Sequence, residues 1–164
     1  MLPGSLPSPP KDLAKRKVSV LEFDEPLFRT HAIARAPVFF GNSGLNRFDP
    51  PDGSYEVFYS GRDAFCAFIE TFGRAAGTRI VTTTALKSYA LSELKIRRTA
   101  RLVDLTQPGA LVRIGADGNL FSGPHKDSQI WSGALHQHPI KADGLPGSIQ
   151  RVTQLYCSAI EDSR

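Results

Sequence analysis

Cysteine is scarce in this chain: two residues in 164, Cys66 and Cys157. A secreted scaffold stapled by disulfides would carry more of them at closer spacing. Both fall in stretches that read as a helix and a strand, so buried free thiols in a reducing compartment are expected. Long apolar runs are also missing. None approaches the ~18 residues that a membrane span requires, and the N-terminus lacks the apolar core of a signal peptide. A soluble cytoplasmic protein is the expectation. Charge of one sign is not in great excess either: 20 Lys and Arg against 16 Asp and Glu leave a net charge of +4. That balance suits an anionic ligand or an acidic partner better than a nucleic acid.

Several chemical signatures are absent too. Gly115, Gly118 and Gly123 do not form a dinucleotide fingerprint, because no strand leads straight into a helix there. There is no phosphate-loop lysine motif. His136 and His138 stand two apart at a helix end without the further ligands of a zinc site, so no metal is expected. Lys95, Arg97, Arg98 and Arg101 read most simply as a solvated basic loop. No internal repeat is present.

What the chain does contain is an ordinary globular composition, 41% hydrophobic and 22% charged, punctuated by 12 prolines and 14 glycines. A chain of this length buries about two thirds of its unfolded surface and needs no metal or disulfide to fold. Residues 1–16, rich in proline, serine and charge, are expected as a flexible or loosely draped arm, and 17–164 as one domain. Strands are predicted at 17–23, 27–33, 54–59, 79–83, 100–105 and 155–160. Between 34 and 53 lies a long loop with an apolar insert, Val38-Phe39-Phe40, and a Pro-Pro-Asp-Gly turn at its end. Loops of this length in a compact domain tend to be functional.

Ser60 followed by Asp63 is a helix-start pattern. The helix should run to about Phe72 and stop at Gly73, with Phe65, Phe68, Ile69 and Phe72 as its buried face. Residues 84–96 read as a strand followed by a helical turn, 110–114 as a short helix, 115–124 as loop, and 127–137 as a helix capped by Asp127 or Ser128. Short strands alternate with short helices without a regular βαβ rhythm. The fold class is therefore α+β with a mixed or antiparallel sheet.

Four polar residues stand out against this background: Arg29, Arg47, Tyr59 and Glu70. Each has a bland reading. Glu70 and Arg74 are four apart on a helix and suit an exposed pair; a strand tyrosine is usually core or rim; Arg29 beside His31 suits a solvent-facing strand position. Glu70, however, has the small residues Cys66, Ala67 and Gly73 among its helical neighbours, which leaves room for something to approach it.

Taken in order, F-R-T-H, G-x-x-x-x-N-R-F, D-G-S-Y-x-V-x-Y and F-I-E-T-F resemble the RES domain family, named for an arginine, a glutamate and a serine. Residues 101–106 (RLVDLT), 129–136 (QIWSGALH) and 142–145 (ADGL) extend the resemblance over most of the chain after the arm. It implies a fold similar to that of ADP-ribosyltransferase toxins. It also implies an NAD-consuming toxin whose partner is a cognate Xre-type antitoxin, the pair forming a hetero-oligomer or the toxin a homodimer. NAD would be the substrate, its nicotinamide–ribose bond cleaved with water, phosphate or a protein side chain as acceptor. No metal, membrane or direct nucleic-acid binding is implied.

In that reading Glu70 stabilises the oxocarbenium-like ribose. Arg29 and Arg47 clamp the pyrophosphate, and Tyr59 forms an aromatic wall. The family serine has two candidates: Ser148, one residue early in a segment (LPGSIQ) that departs from the family's usual tail, and Ser132 in the late helix. A second reading, from another functional class, is a catalytically degenerate module that binds nucleotide or antitoxin without turnover.

Overall fold

Short β-rich stretches separated by glycine- and proline-rich turns assemble into one mixed sheet. The computed structural model describes residues 5–73, 80–146 and 152–156. The strands are β1 (Val20–Phe23), β2 (Leu27–Ala32), β3 (Val57–Gly61), β4 (Tyr89–Leu94), β5 (Ala100–Val103), β6 (Gly144–Pro146) and β7 (Val152–Tyr156). Their spatial order is β1-β5-β6-β7-β3-β2-β4. Every pairing is antiparallel except β5 with β6. The α+β class with a mixed sheet is what the chain forms.

Consecutive strand residues face opposite sides of a sheet, and here both sides are covered. Val57 and Phe58 are neighbours in β3, and Leu102 and Val103 in β5, yet each pair divides between two cores. The larger core holds Val57, Val103 and Leu145 against helices α3 (Ala110–Ile114), α4 (Asn119–Ser122) and α5 (His125–His136). Trp131 and Leu135 of α5 are its anchors, each almost wholly buried. The smaller core groups Phe23, Leu27, Phe58, Ala100 and Leu102, with Phe40 and Leu94 at its margin.

The N-terminal segment departs from the flexible arm expected of its composition. Leu6 and Leu13 are buried in the larger core, and Trp131 Nε1 donates to Pro7 O at 2.6 Å. His138 Nε2 donates to Leu13 O at 3.2 Å while its Nδ1 accepts from Ile140 N at 3.1 Å. Prolines and serines lowered the expectation of order, but two leucines and a tryptophan partner offset it. Residues 1–4 lie outside the described part.

Residues 80–96 also differ. Thr82 caps a short helix α2 (Thr83–Lys87) by accepting from Ala85 N at 3.2 Å, and strand β4 follows rather than precedes it. A threonine run signals strand by its branched side chains, yet the same hydroxyl satisfies a helix N-terminus. Residues 115–124, expected as loop, contain α4. Helix α5 begins at His125 with no side-chain cap. Ser128 is instead buried and donates to Leu120 O at 2.8 Å. The basic residues Lys95, Arg97, Arg98 and Arg101 are exposed, as expected, but the stretch is also tied down. Arg98 forms two hydrogen bonds to Asp143, of 2.7 and 2.9 Å, and Arg101 N donates to the same carboxylate at 2.8 Å.

Helix α1 (Ala64–Phe72) starts at Asp63, whose carboxylate accepts from Cys66 N at 2.6 Å, and stops at Gly73. Its buried face is not the phenylalanine face. Phe65 is 72% exposed and Ile69 36%, while Cys66 and Ala67 are buried. The reason is at Gly61: a Cβ there would lie 2.5 Å from Ala67 N. The helix meets β3 through small residues and bare backbone, which the larger face could not approach so closely.

Candidate functional site

The site begins with an interrupted strand pair. β2 and β3 are hydrogen-bonded neighbours only at Phe28↔Gly61, whereas β2 pairs with β4 along its whole length, from Leu27↔Leu94 to Ala32↔Tyr89. Toward the start of β3, at Val57, the edge turned toward β2 is taken by the long loop. Gly41 N donates to Val57 O at 3.1 Å, and Val57 N to Gly41 O at 2.9 Å. Where the strands part, a cleft of about 520 Å³ opens. Its walls come from β2 (Arg29, Thr30), β3 (Tyr59, Ser60), α1 (Glu70, Thr71) and the loop around Phe39–Ser43.

Arg29 is held against the cleft wall. Its Nη1 donates to Phe39 O at 2.9 Å, and its guanidinium sits 4.9 Å from the centroid of the Phe58 ring. Burial presses its pKa down, but guanidinium is basic enough to remain a cation. A partly desolvated cation with donors to spare is suited to an anion.

Glu70 reaches the same cleft because α1 packs by its small face. Cys66 and Ala67 turn toward the sheet, and Glu70, one turn beyond Cys66, lines the opening. Thr71, beside it, donates to Ala67 O at 3.2 Å and to Thr30 O at 3.3 Å, joining α1 to β2. Thr30 Oγ1 is buried in the wall with no hydrogen-bond partner among the described residues.

Tyr59 lines the cleft, and its hydroxyl is engaged behind it. The hydroxyl donates to Asp49 Oδ1 at 3.0 Å and accepts from Phe48 N at 3.2 Å. Burial, then the charge of Asp49 and the hydrogen bond to it, push the phenol pKa well above its ordinary value, so Tyr59 is a neutral ring. Asp49 is itself fully buried, at 0% exposure. It accepts from Ser43 Oγ at 3.1 Å, Asn46 N at 3.1 Å and Asn46 Nδ2 at 3.2 Å. The loop that walls the cleft is therefore wound around one carboxylate. Asp49 escaped the sequence reading because an aspartate before two prolines reads as turn chemistry.

Two sequence candidates belong elsewhere. Arg47 does not line the cleft: its Nη1 donates to Gly123 O and, at 3.1 Å, to Ser128 Oγ. It pins the loop to the junction of α4 and α5, because the backbone turn at Asn46–Asp49 directs it away from β2. Ser132 is fully buried. Its Oγ donates to Phe48 O at 2.8 Å and lies 2.7 Å from Tyr55 OH, which places it in the core behind the loop. Ser148 and Arg74 lie outside the described residues, as does Cys157. Arg35, Asn42 and Glu56, which carry no signal in the sequence, also line the cleft, as does Ser60, expected only at a helix start.

The histidines have packing roles. His136 stacks on Tyr55 with ring centroids 3.9 Å apart, and His138 bridges Leu13 and Ile140. Among the described residues no group of three potential metal ligands comes together, and no helix is long and apolar enough to cross a membrane.

Comparison with known proteins adds a fold and a family. A chain in the crystal structure of the M. tuberculosis MbcT–MbcA toxin–antitoxin complex superposes with a TM-score of 0.66 at 15% identity. The match covers 93% of this chain and 87% of that one, a likeness of fold. No curated protein has a significantly matching sequence. The sequence model of the RES domain matches residues 26–151, and the chain belongs to the RES domain family.

Proposed function

We propose that this protein is the toxin of a toxin–antitoxin pair and that it destroys NAD at the cleft between β2 and β3. The observation that carries this reading is the meeting of Arg29 and Glu70 in one cleft, 41 positions apart in sequence and delivered by a strand and a helix. Tyr59 adds a neutral aromatic surface beside them. A cation, a carboxylate and a ring are what a pyridinium dinucleotide calls for. The family membership and the similarity to a toxin–antitoxin structure support the biological setting.

The chemistry follows from charge. Breaking the bond between ribose C1′ and the pyridinium nitrogen sends the bonding pair to nicotinamide, which leaves neutral. Positive charge then builds on the ribose ring. The Glu70 carboxylate opposes that charge and holds a ribose hydroxyl, an interaction strongest in the transition state. Arg29 binds the diphosphate. The acceptor, which is water, phosphate or a protein side chain, forms the new bond to C1′ and gives up a proton where it carries one.

The antitoxin, of the Xre type, is expected to cover the cleft mouth. Phe39 there is 57% exposed, an apolar handle of the kind that a protein partner buries. NAD consumption and antitoxin control favour a cytoplasmic location.

The test is nicotinamide release from NAD by purified protein, with products identified in the presence and absence of phosphate. Glu70→Gln is expected to lower turnover by about 10²–10³-fold with an unchanged circular dichroism spectrum. Undiminished turnover in a folded Glu70→Gln variant would falsify the assignment. Tight nucleotide binding with no turnover by the unmodified protein would instead favour the degenerate binding module.

A further inference from the structure

A diphosphate diester carries two negative charges, and one arginine answers one of them. Arg47 is unavailable for the second, being bonded to Gly123 O and Ser128 Oγ on the far side of the loop. Among the described residues, the other cation lining the cleft is Arg35. We propose that Arg35 is the second arm of the phosphate clamp, binding with Arg29 to the diphosphate bridge of a dinucleotide. This rests on the reading of the cleft as a dinucleotide site.

The backbone at Arg35 is fixed while its side chain is left free. Arg35 N donates to Ala32 O at 2.9 Å, closing a turn directly after β2. One residue after β2, Ile33 N donates to Ser88 O at 3.0 Å and fastens that turn to the end of α2. Arg35 is exposed, and no described residue pairs with its guanidinium. An unpaired arginine on a pinned turn at a cleft mouth loses little backbone freedom on binding.

From Arg29 to the end of the strand at Ala32 the chain advances roughly 10 Å, and the turn then folds back, a gap that two extended arginine side chains can close. Arg29 lies deeper, anchored on Phe39 O and Phe58, and Arg35 is at the rim. The pair would grip the bridge from two directions, with the nicotinamide end directed inward to Glu70.

The test uses the full chain and a product-like ligand, so that it does not depend on turnover. ADP-ribose binding is measured by calorimetry for the unmodified protein, Arg35→Ala and Arg35→Lys, with nicotinamide riboside as the phosphate-free comparison. Arg35→Ala is expected to weaken ADP-ribose by about tenfold to a hundredfold, the range of charge-assisted hydrogen bonds, and to leave nicotinamide riboside unchanged. Arg35→Lys should recover part of the loss, and the dependence of ADP-ribose affinity on salt should flatten in Arg35→Ala.

Equal ADP-ribose affinity in Arg35→Ala and the unmodified protein overturns the proposal, as does an equal loss for both ligands. NAD turnover is followed in parallel. Turnover by the unmodified protein with no affinity change in Arg35→Ala sinks the Arg35 assignment and keeps the catalytic reading. Absence of turnover with the expected affinity loss does the reverse.

Discussion

The hydroxyl of Tyr59 donates a 3.0 Å hydrogen bond to Oδ1 of Asp49, tying the interior strand β3 to the loop that walls the cleft. Among the described residues the other donors to Asp49 are the neutral groups of Ser43 and Asn46. A buried carboxylate held by dipoles alone depends on each of them, because a lost donor leaves charge without compensation.

Tyr59→Phe keeps the ring in the cleft and removes the donor. The expected cost is about 1–3 kcal/mol of folding stability, read from urea denaturation. The KM for NAD should change little in the folded fraction, whereas Tyr59→Ala, which deletes the ring, should raise it. An unaltered denaturation midpoint in Tyr59→Phe would show that Asp49 has other support.

Gly61 and Gly118 make a contrasting pair. A Cβ at Gly61 would lie 2.5 Å from Ala67 N and 2.9 Å from Asp63 O, both backbone atoms that cannot swing aside. Gly61→Ala should push α1 off β3, cost about 1–3 kcal/mol as overpacking does, and move Glu70 away from Arg29, so that turnover falls along with the melting temperature. At Gly118 nothing lies within 4 Å and the backbone is helical. Gly118→Ala should be neutral or stabilise by up to about 1 kcal/mol.

Arg47 and Arg29 separate structure from binding. Arg47→Ala removes the donor to Gly123 O and Ser128 Oγ, and is expected to lower stability by about 1–3 kcal/mol with the KM of the folded protein unchanged. Arg29→Ala should raise KM steeply. Steady-state kinetics beside thermal denaturation distinguishes them; a KM effect from Arg47→Ala at unchanged stability would return Arg47 to the clamp.

Arg98 and Asp143 set an acid limit. Burial alone would raise the Asp143 pKa, but hydrogen bonds from Arg98 and Arg101 N, with the charge of Arg98, hold it below the ordinary carboxylate value. The folded state therefore binds fewer protons than the unfolded chain over that interval. The stabilisation is present above the unfolded carboxylate pKa, about 4, and is lost as pH falls through the lower folded value. Arg98→Ala should shrink this acid dependence. The effect at neutral pH should be modest, about 1 kcal/mol, since Arg98 is half exposed and its charge is screened. Stability measured between pH 3 and 7 reads both terms; an identical acid profile in the variant would sink this account.

Local chemistry made some elements readable in advance. The short helix at Ala110–Ile114 and the stop of α1 at Gly73 follow from local composition, and of the helix-start pair Ser60 and Asp63 it is Asp63 that caps α1, while Ser60 lies in β3. The strand at Leu27–Ala32 was equally plain. Elsewhere one residue type served two purposes. Thr82 and Thr83 looked like strand and act as a helix cap and first turn, and an N-terminal segment that looked mobile is held by Leu6, Leu13 and Trp131.

Local chemistry, then, already specified that a strand would carry Arg29, a helix Glu70, and a glycine-rich loop the space between them, because caps, turns and periodicity act over a few residues. The direction in which each side chain points was decided by packing over long range. Gly61 admits the small face of α1 and so turns Phe65 outward and Glu70 into the cleft. The buried Asp49 winds the loop so that Arg47 faces α5 and leaves the mouth to Arg35. A contact across the sheet or behind a loop leaves no periodic trace in the chain, and close packing admits one arrangement of such contacts and excludes the rest.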